Sequence, residues 1–135
     1  MSAADHKVPI RRLMEAFNQR ALAFLDEAFS PHFVLPTALT PGWPRGLEGA
    51  RQLFTTLLTT APDVQGTIED MVAEGEKVAV RWTCRGTPTA ASPLTGAPSG
   101  EPFTLVALSL YRFANGQIAE DWGVDAHWQT GEGWK

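Results

Sequence analysis

Val78-Ala79-Val80-Arg81-Trp82-Thr83-Cys84-Arg85 alternates apolar with polar or small residues, the period of a strand with one face against a core. Val78, Val80, Trp82 and Cys84 face one way; Ala79, Arg81, Thr83 and Arg85 face the other. Downstream, Phe103 to Phe113 is a longer strand pattern, apolar on both faces, and Gln117 to about Val124 is the next. Asn115-Gly116 joins these two. Both residues tolerate positive φ, which makes the pair a strong short-range hairpin signal. Thr67–Ala73 is a weaker strand pattern upstream. Gly86–Pro102, rich in Gly, Pro, Ser, Thr and Ala, reads as a broad, mobile hairpin connection.

The first half has the helical period instead. Pro9 suits a first helical turn, and Ile10, Leu13, Met14 and Phe17 recur at helical spacing after it. The pattern weakens at Asn18-Gln19-Arg20. Leu22, Leu25 and Phe29 resume it as a second short helix, ended by Ser30-Pro31. A third helix is expected from about Leu47 to Thr60, with an apolar stripe through Ala50, Leu53, Phe54, Leu57 and Leu58 and a stop at Pro62. Helices followed by an antiparallel meander define an α+β fold, and no linker or repeat divides residues 1–135.

Bulk composition narrows the function. The chain has 135 residues, enough to bury a core as a single domain, with 44% hydrophobic and 19% charged residues. The net charge is −4 and the densest basic run is Arg11-Arg12, which argues against nucleic acid or an anionic membrane as partner. Cys84 is the single cysteine, so neither an internal disulfide nor a cysteine-based zinc site can form. His6, His32 and His127 have no useful spacing for a three-ligand metal site. The polar first residues and the absence of a long apolar run point to a soluble, cytoplasmic protein.

Several segments together resemble the SnoaL-like polyketide cyclases, of the nuclear-transport-factor-like superfamily that also holds ketosteroid isomerase and limonene epoxide hydrolase. They are Ala16-Phe17-Asn18; Ser30-Pro31-His32-Phe33-Val34 with Pro36; Gly46-Leu47-Glu48-Gly49; Ala61-Pro62-Asp63; Glu74 to Thr83 with Gly86-Thr87; and Tyr111-Arg112-Phe113 through Asn115-Gly116-Gln117-Ile118 to Glu120 and Trp122. The resemblance implies a cone-shaped, curved antiparallel sheet packed on N-terminal helices around an apolar pocket. It also implies a homodimer, and an intramolecular aldol ring closure that uses no metal or cofactor. In that chemistry an aspartate in a dry pocket removes an acidic C–H proton, desolvation having raised its pKa towards the working pH. The family's aspartate follows the tryptophan directly, and here that position is Gly123. The polar partners expected on the neighbouring strand fall at Ala107 and Ser109.

Asp121 lies two residues earlier, on the same face of a regular strand and about 7 Å away. It is the candidate base; a capping or surface acid is the bland alternative. Asp125, the other carboxylate on that face, lies past the expected strand end, and Glu120 alternates outward. His32 is a second catalytic candidate, weighed against an ordinary surface histidine. Trp82, Phe103, Leu105, Ala107 and Ser109 are the expected pocket wall, with Trp43 on a rigid loop as a lid or a core cap. Cys84 reads as a buried inert thiol. Sister activities fit less well: Leu35–Arg45 contains no acid, Tyr111 is the sole tyrosine, and no Asp lies in Phe103–Phe113.

The outward residues Thr104, Val106, Leu108 and Leu110, extended by Trp122 and Ile118, are too apolar for open water and mark a dimer contact. Three readings stand: a cyclase- or isomerase-like enzyme acting on a small apolar carbonyl compound, a non-catalytic small-molecule-binding domain, or a dimeric scaffold with a filled cavity. An open cavity with Asp121 at its wall favours the first.

Overall fold

Ser2 opens the first helix, α1 (Ala3–Asn18), with a reciprocal cap. Its hydroxyl accepts from the Asp5 amide at 3.2 Å, and the Asp5 carboxylate accepts from the Ser2 amide at 3.0 Å. The helix therefore begins well before Pro9, which lies inside it rather than in its first turn. The early turns carry His6, only 5% exposed, whose Nδ1 donates to the Gly75 carbonyl at 3.0 Å and whose ring stacks on Phe113. A computed structural model describes residues 2–34, 46–89 and 100–130, with backbone alone for 124–130. No helix among them is long and apolar enough to cross a membrane.

A 3-10 turn (Leu22–Phe24) and the short α2 (Leu25–Ala28) follow. The helical reading of Phe29 fails here. Phe29–Val34 is a strand, β1, that pairs parallel to β5 (Gln117–Asp121) and buries Phe29 and Phe33. Pro31 is tolerated because β1 is an edge strand. The third helix, α3 (Gly46–Thr60), starts as expected against β1. Gly46 has φ +70°, and a Cβ there would come within 2.6 Å of the Pro31 carbonyl oxygen, so only glycine fits.

The remaining strands are β2 (Gln65–Glu74), β3 (Lys77–Gly86), β4 (Phe103–Ala114) and β6 (Val124–Thr130), and the sheet order is β1-β5-β4-β3-β2. Asn115 and Gly116 take positive φ (53° and 76°) in the β4–β5 turn, as the hairpin requires. The strand expected from Gln117 to Val124 is interrupted. β5 pairs with the end of β4, Trp122 still exchanges backbone bonds with Leu110, and β6 resumes on β4 beyond Gly123. The sheet is curved and unclosed, with helices against its concave side.

Burial follows the predicted alternation except in β3, where inward Trp82 is half-buried and outward Thr83 is buried, donating to Glu69 at 2.8 Å. Val78, Val80 and Cys84 of β3, and Phe103, Leu105, Ala107, Ser109, Tyr111 and Phe113 of β4, are all buried. Ile118 is fully buried and packs with Phe113 in the main core. It therefore does not extend the outer apolar patch, because β5 turns that side chain towards β1 and the helices.

The ends of the long connection are fixed. Pro88 is fully buried, the Thr89 amide donates to the Thr60 carbonyl at 2.8 Å, and the Gly100 amide donates to the Pro88 carbonyl at 2.7 Å. Its centre lies outside the described residues. Edge strand β2 is bound at its start by Asn18, which accepts from the Gly66 amide at 2.7 Å and donates to the Gly66 carbonyl at 2.9 Å. A bulge interrupts its register with β3 between Ile68 and Asp70.

Candidate active site

The inward stripes of helix and sheet do not close completely on one another. Between them lies a cavity of about 80 Å³, walled by Leu13, Met14 and Phe17 of α1, Phe54 and Leu57 of α3, and Phe29 and Phe33 of β1. The sheet contributes Ile68, Val80, Trp82, Cys84, Tyr111 and Asp121. A volume of this size holds a few waters or one compact group, below the several hundred Å³ of a drug-sized pocket. Almost every wall atom is carbon.

Asp121, the last residue of β5, sits opposite Tyr111 of β4 and is the one carboxylate on the wall. The residue as a whole is half-buried. Its Oδ1, however, is buried and has no hydrogen-bond partner among the described residues. Burial pushes the carboxyl up to about 7, and the nearby Ser109 hydroxyl opposes that rise. A carboxyl so placed is short of hydrogen bonds and titrates close to neutral pH, the match of pKa to working pH that a general base needs.

Three further polar groups belong to the same spot. Trp82 donates from Nε1 to Ser109 Oγ at 3.1 Å. Burial, then the charge of Asp121, keep the Tyr111 phenol protonated by raising its pKa. Gly123 completes the group: a Cβ there would lie 3.7 Å from Asp121 Oδ1 and 3.9 Å from Ser109 Oγ. The position after the tryptophan thus faces the same corner as Asp121, despite the break in the strand. Cys84, with its thiol pushed up to about 12 by burial, is no nucleophile at neutral pH.

Of the residues read from sequence, Trp82 and Asp121 meet at the cavity wall. Ser109 is buried beside them through its bond to Trp82. Phe103, Leu105 and Ala107 lie buried on the same sheet face but further along β4, where Phe103 and Leu105 pack against Phe17, Leu57 and Val64 rather than the cavity. His32 is exposed on β1 and is not brought to the site; its neighbour Phe33 takes the inward place. Trp43 lies outside the described residues, as does the side chain of Asp125. Glu120 points outward as expected and accepts from Arg112 at 2.9 Å and from Trp122 Nε1 at 2.9 Å.

Sequence reasoning missed Tyr111 and the helical walls as site residues. The signal for Tyr111 was present, since it shares the odd-numbered face of β4 with Ser109. The helix residues were legible only as core.

A curved, unclosed sheet packed on N-terminal helices is a fold of the nuclear-transport-factor-like type. The model of the SnoaL-like polyketide cyclases matches residues 7–128, and the chain belongs to that family. Among solved structures, TsrD from Streptomyces laurentii is similar at 25% identity with a TM-score of 0.80, covering 92% of this chain and 90% of that one. IdmH from Streptomyces antibioticus, described as a candidate polyketide cyclase, is 33% identical with a TM-score of 0.73, covering 88% and 90%. AclR from Streptomyces galilaeus, described as a candidate hydroxylase, shares the fold at 23% identity and a TM-score of 0.73, covering 91% and 79%. No curated protein sequence matches the chain.

Proposed function

We propose that the protein removes a proton from carbon next to a carbonyl in a small, largely apolar compound, leading to aldol-type cyclisation or isomerisation. Asp121 is the base. The observation that carries this reading is Asp121 Oδ1, buried and unpartnered at the wall of an apolar cavity. The C–H electron pair stays on the substrate as an enolate, conjugated with the carbonyl, while the proton moves to Asp121. The Tyr111 phenol on the same wall is an O–H donor for the negative oxygen. The protonated Asp121 then returns its proton to the new alkoxide or to another carbon. The enclosed volume takes the reacting end of the molecule rather than the whole of it.

Deuterium exchange tests this before the natural substrate is known. In D₂O, the protein should speed exchange of the acidic C–H of compact apolar 1,3-dicarbonyl compounds, read by NMR. Gly123 at the family's aspartate position favours a second reading, a binding domain without turnover. Bound compound with exchange no faster than buffer would establish that reading and remove the first.

The same reading includes a homodimer formed through the outer sheet face. Leu108, Leu110, Val72 and Trp122 are 51%, 37%, 64% and 49% exposed there, a patch better covered than wet. Light scattering should give twice the 14.7 kDa chain mass at micromolar concentration, and Leu108→Asp with Leu110→Lys should give monomer. A monomeric parent at that concentration would rule the dimer out.

A further inference from the structure

One strip across the outer face of the sheet is matched to a copy of itself. From β2 to β5, the register sets Val72, Ala79, Leu110 and Trp122 side by side in one row. All four are exposed, but they differ in height. Ala79 is the low point, and with Val72 and Leu110 it lines an open groove of about 600 Å³. Trp122 is the high point at the far end, its Nε1 donating to Glu120 at 2.9 Å. The next row along the strands is charged, with Glu74, Lys77, Arg112 and Glu120 in the same order. Acids therefore flank a basic middle, beside a row in which a large ring and a small gap lie on either side of Leu110.

We infer that a second copy of this chain pairs with this face about a twofold axis running along β4, each Trp122 entering the other copy's groove over Ala79 and each Glu120 facing the other copy's Lys77. The inference deepens the dimer reading and rests on it. A twofold contact is self-complementary, and packed sheets commonly keep their strands within about 30° of alignment. Rotation about β4 exchanges the two sides of every row. Leu108 and Leu110 then meet their own copies on the axis, and β5 positions lie over β3 positions of the partner. Arg112 also meets its copy, each guanidinium being balanced by its own Glu120 at 2.9 Å. Other placements fit worse. An axis across the strands at Leu110 sets Trp122 on its own copy, and lays Lys77 over Arg81 and Glu74 over Asp70, which share the Leu108 row. An axis between β3 and β4 sets Lys77 over Arg112 and Glu74 over Glu120. Both juxtapose like charges, which suppresses a contact. An axis between β4 and β5 takes Trp122 off the groove and onto Leu110.

Mixing two charge-reversed variants tests this pairing. Lys77→Glu and Glu120→Lys each give a homodimer with like charges in contact, whereas one copy of each restores both pairs. Equal amounts of the two, one of them ¹⁵N-labelled, should give about nine-tenths mixed dimer by native mass spectrometry, against a statistical half. Effects within a chain, such as loss of the Arg112–Glu120 bond, enter homodimers and mixed dimers alike and cancel. If Glu120→Lys does not fold, Trp122→Ala mixed with Ala79→Trp makes the same comparison through size, since the ring added to one copy fills the space emptied in the other. A mixed fraction of about half or less, with a dimeric parent, would overturn this arrangement and leave the dimer standing. A monomeric parent would overturn both.

Discussion

Asp121→Asn should lower the exchange rate by about 10²–10⁴ and, at pH 8, make the protein more stable than its parent. The two effects have one cause. The unfolded carboxyl titrates near 3.8, whereas burial pushes the folded one up to about 7. Between these values the folded state keeps a proton that the unfolded state has lost. Stability therefore falls as pH rises from about 4 to about 7, and the loss is complete above 7. At 1.36 kcal/mol per pH unit the ceiling is about 4 kcal/mol. Asparagine is nearly isosteric and never ionises, so it removes the loss as well as the base. Thermal melts from pH 4 to pH 8 should show the two proteins converging in acid and separating by roughly 10 °C at pH 8. Equal melting temperatures at pH 8 would show that the carboxylate is well solvated, and parent-like exchange by Asp121→Asn would show that it is not the base.

Phe113→Ala should destabilise by about 3–5 kcal/mol at any pH. Phe113 is 1% exposed, stacks on His6 at 4.7 Å and packs with Ile118 in the main core. Its loss removes the platform under the first turns of α1 and leaves a void between helix and sheet. Since Phe113 does not line the cavity, the Asp121 titration midpoint should stay at its parent value in protein that remains folded. Urea unfolding reads the first effect and carboxyl NMR the second. A loss below about 1 kcal/mol would mean that α1 collapses onto the void, as cost depends on how far a site relaxes.

The sheet was legible where side chains alternate over many residues, and much less so where pairing alone makes the strand. β3, β4 and the Asn115-Gly116 turn announce themselves locally. β1 does not: Phe29 continues the Leu22–Leu25 spacing, and only the distant strand β5 draws the backbone out straight. The exposure of His32 follows from the same strand, since an extended chain that buries Phe33 exposes its neighbour. The start of α1 was hidden because a capping box is polar, while apolar period was the signal followed. At the site, Trp82 and Asp121 stood out as unusual residues on inward faces. Leu13, Met14 and Phe54 did not, because a stripe that lines a cavity and a stripe that fills a core have the same spacing.

Asn18 bears on a different property, the way this chain can associate with others. An exposed edge strand offers a row of free amides and carbonyls to any passing strand. On β2 that row is blocked at one end, where Asn18 already takes both groups of Gly66, and is bent by the bulge before Asp70. Glu69 and Asp70 add like charges along the same margin. Side-by-side strand addition, the route to open-ended fibrils, therefore meets a plugged, kinked and negatively charged border. In the proposed dimer the contact is face to face instead, through the outer surface that carries Leu108 and Leu110, so pairing two sheets would bury both faces and end growth.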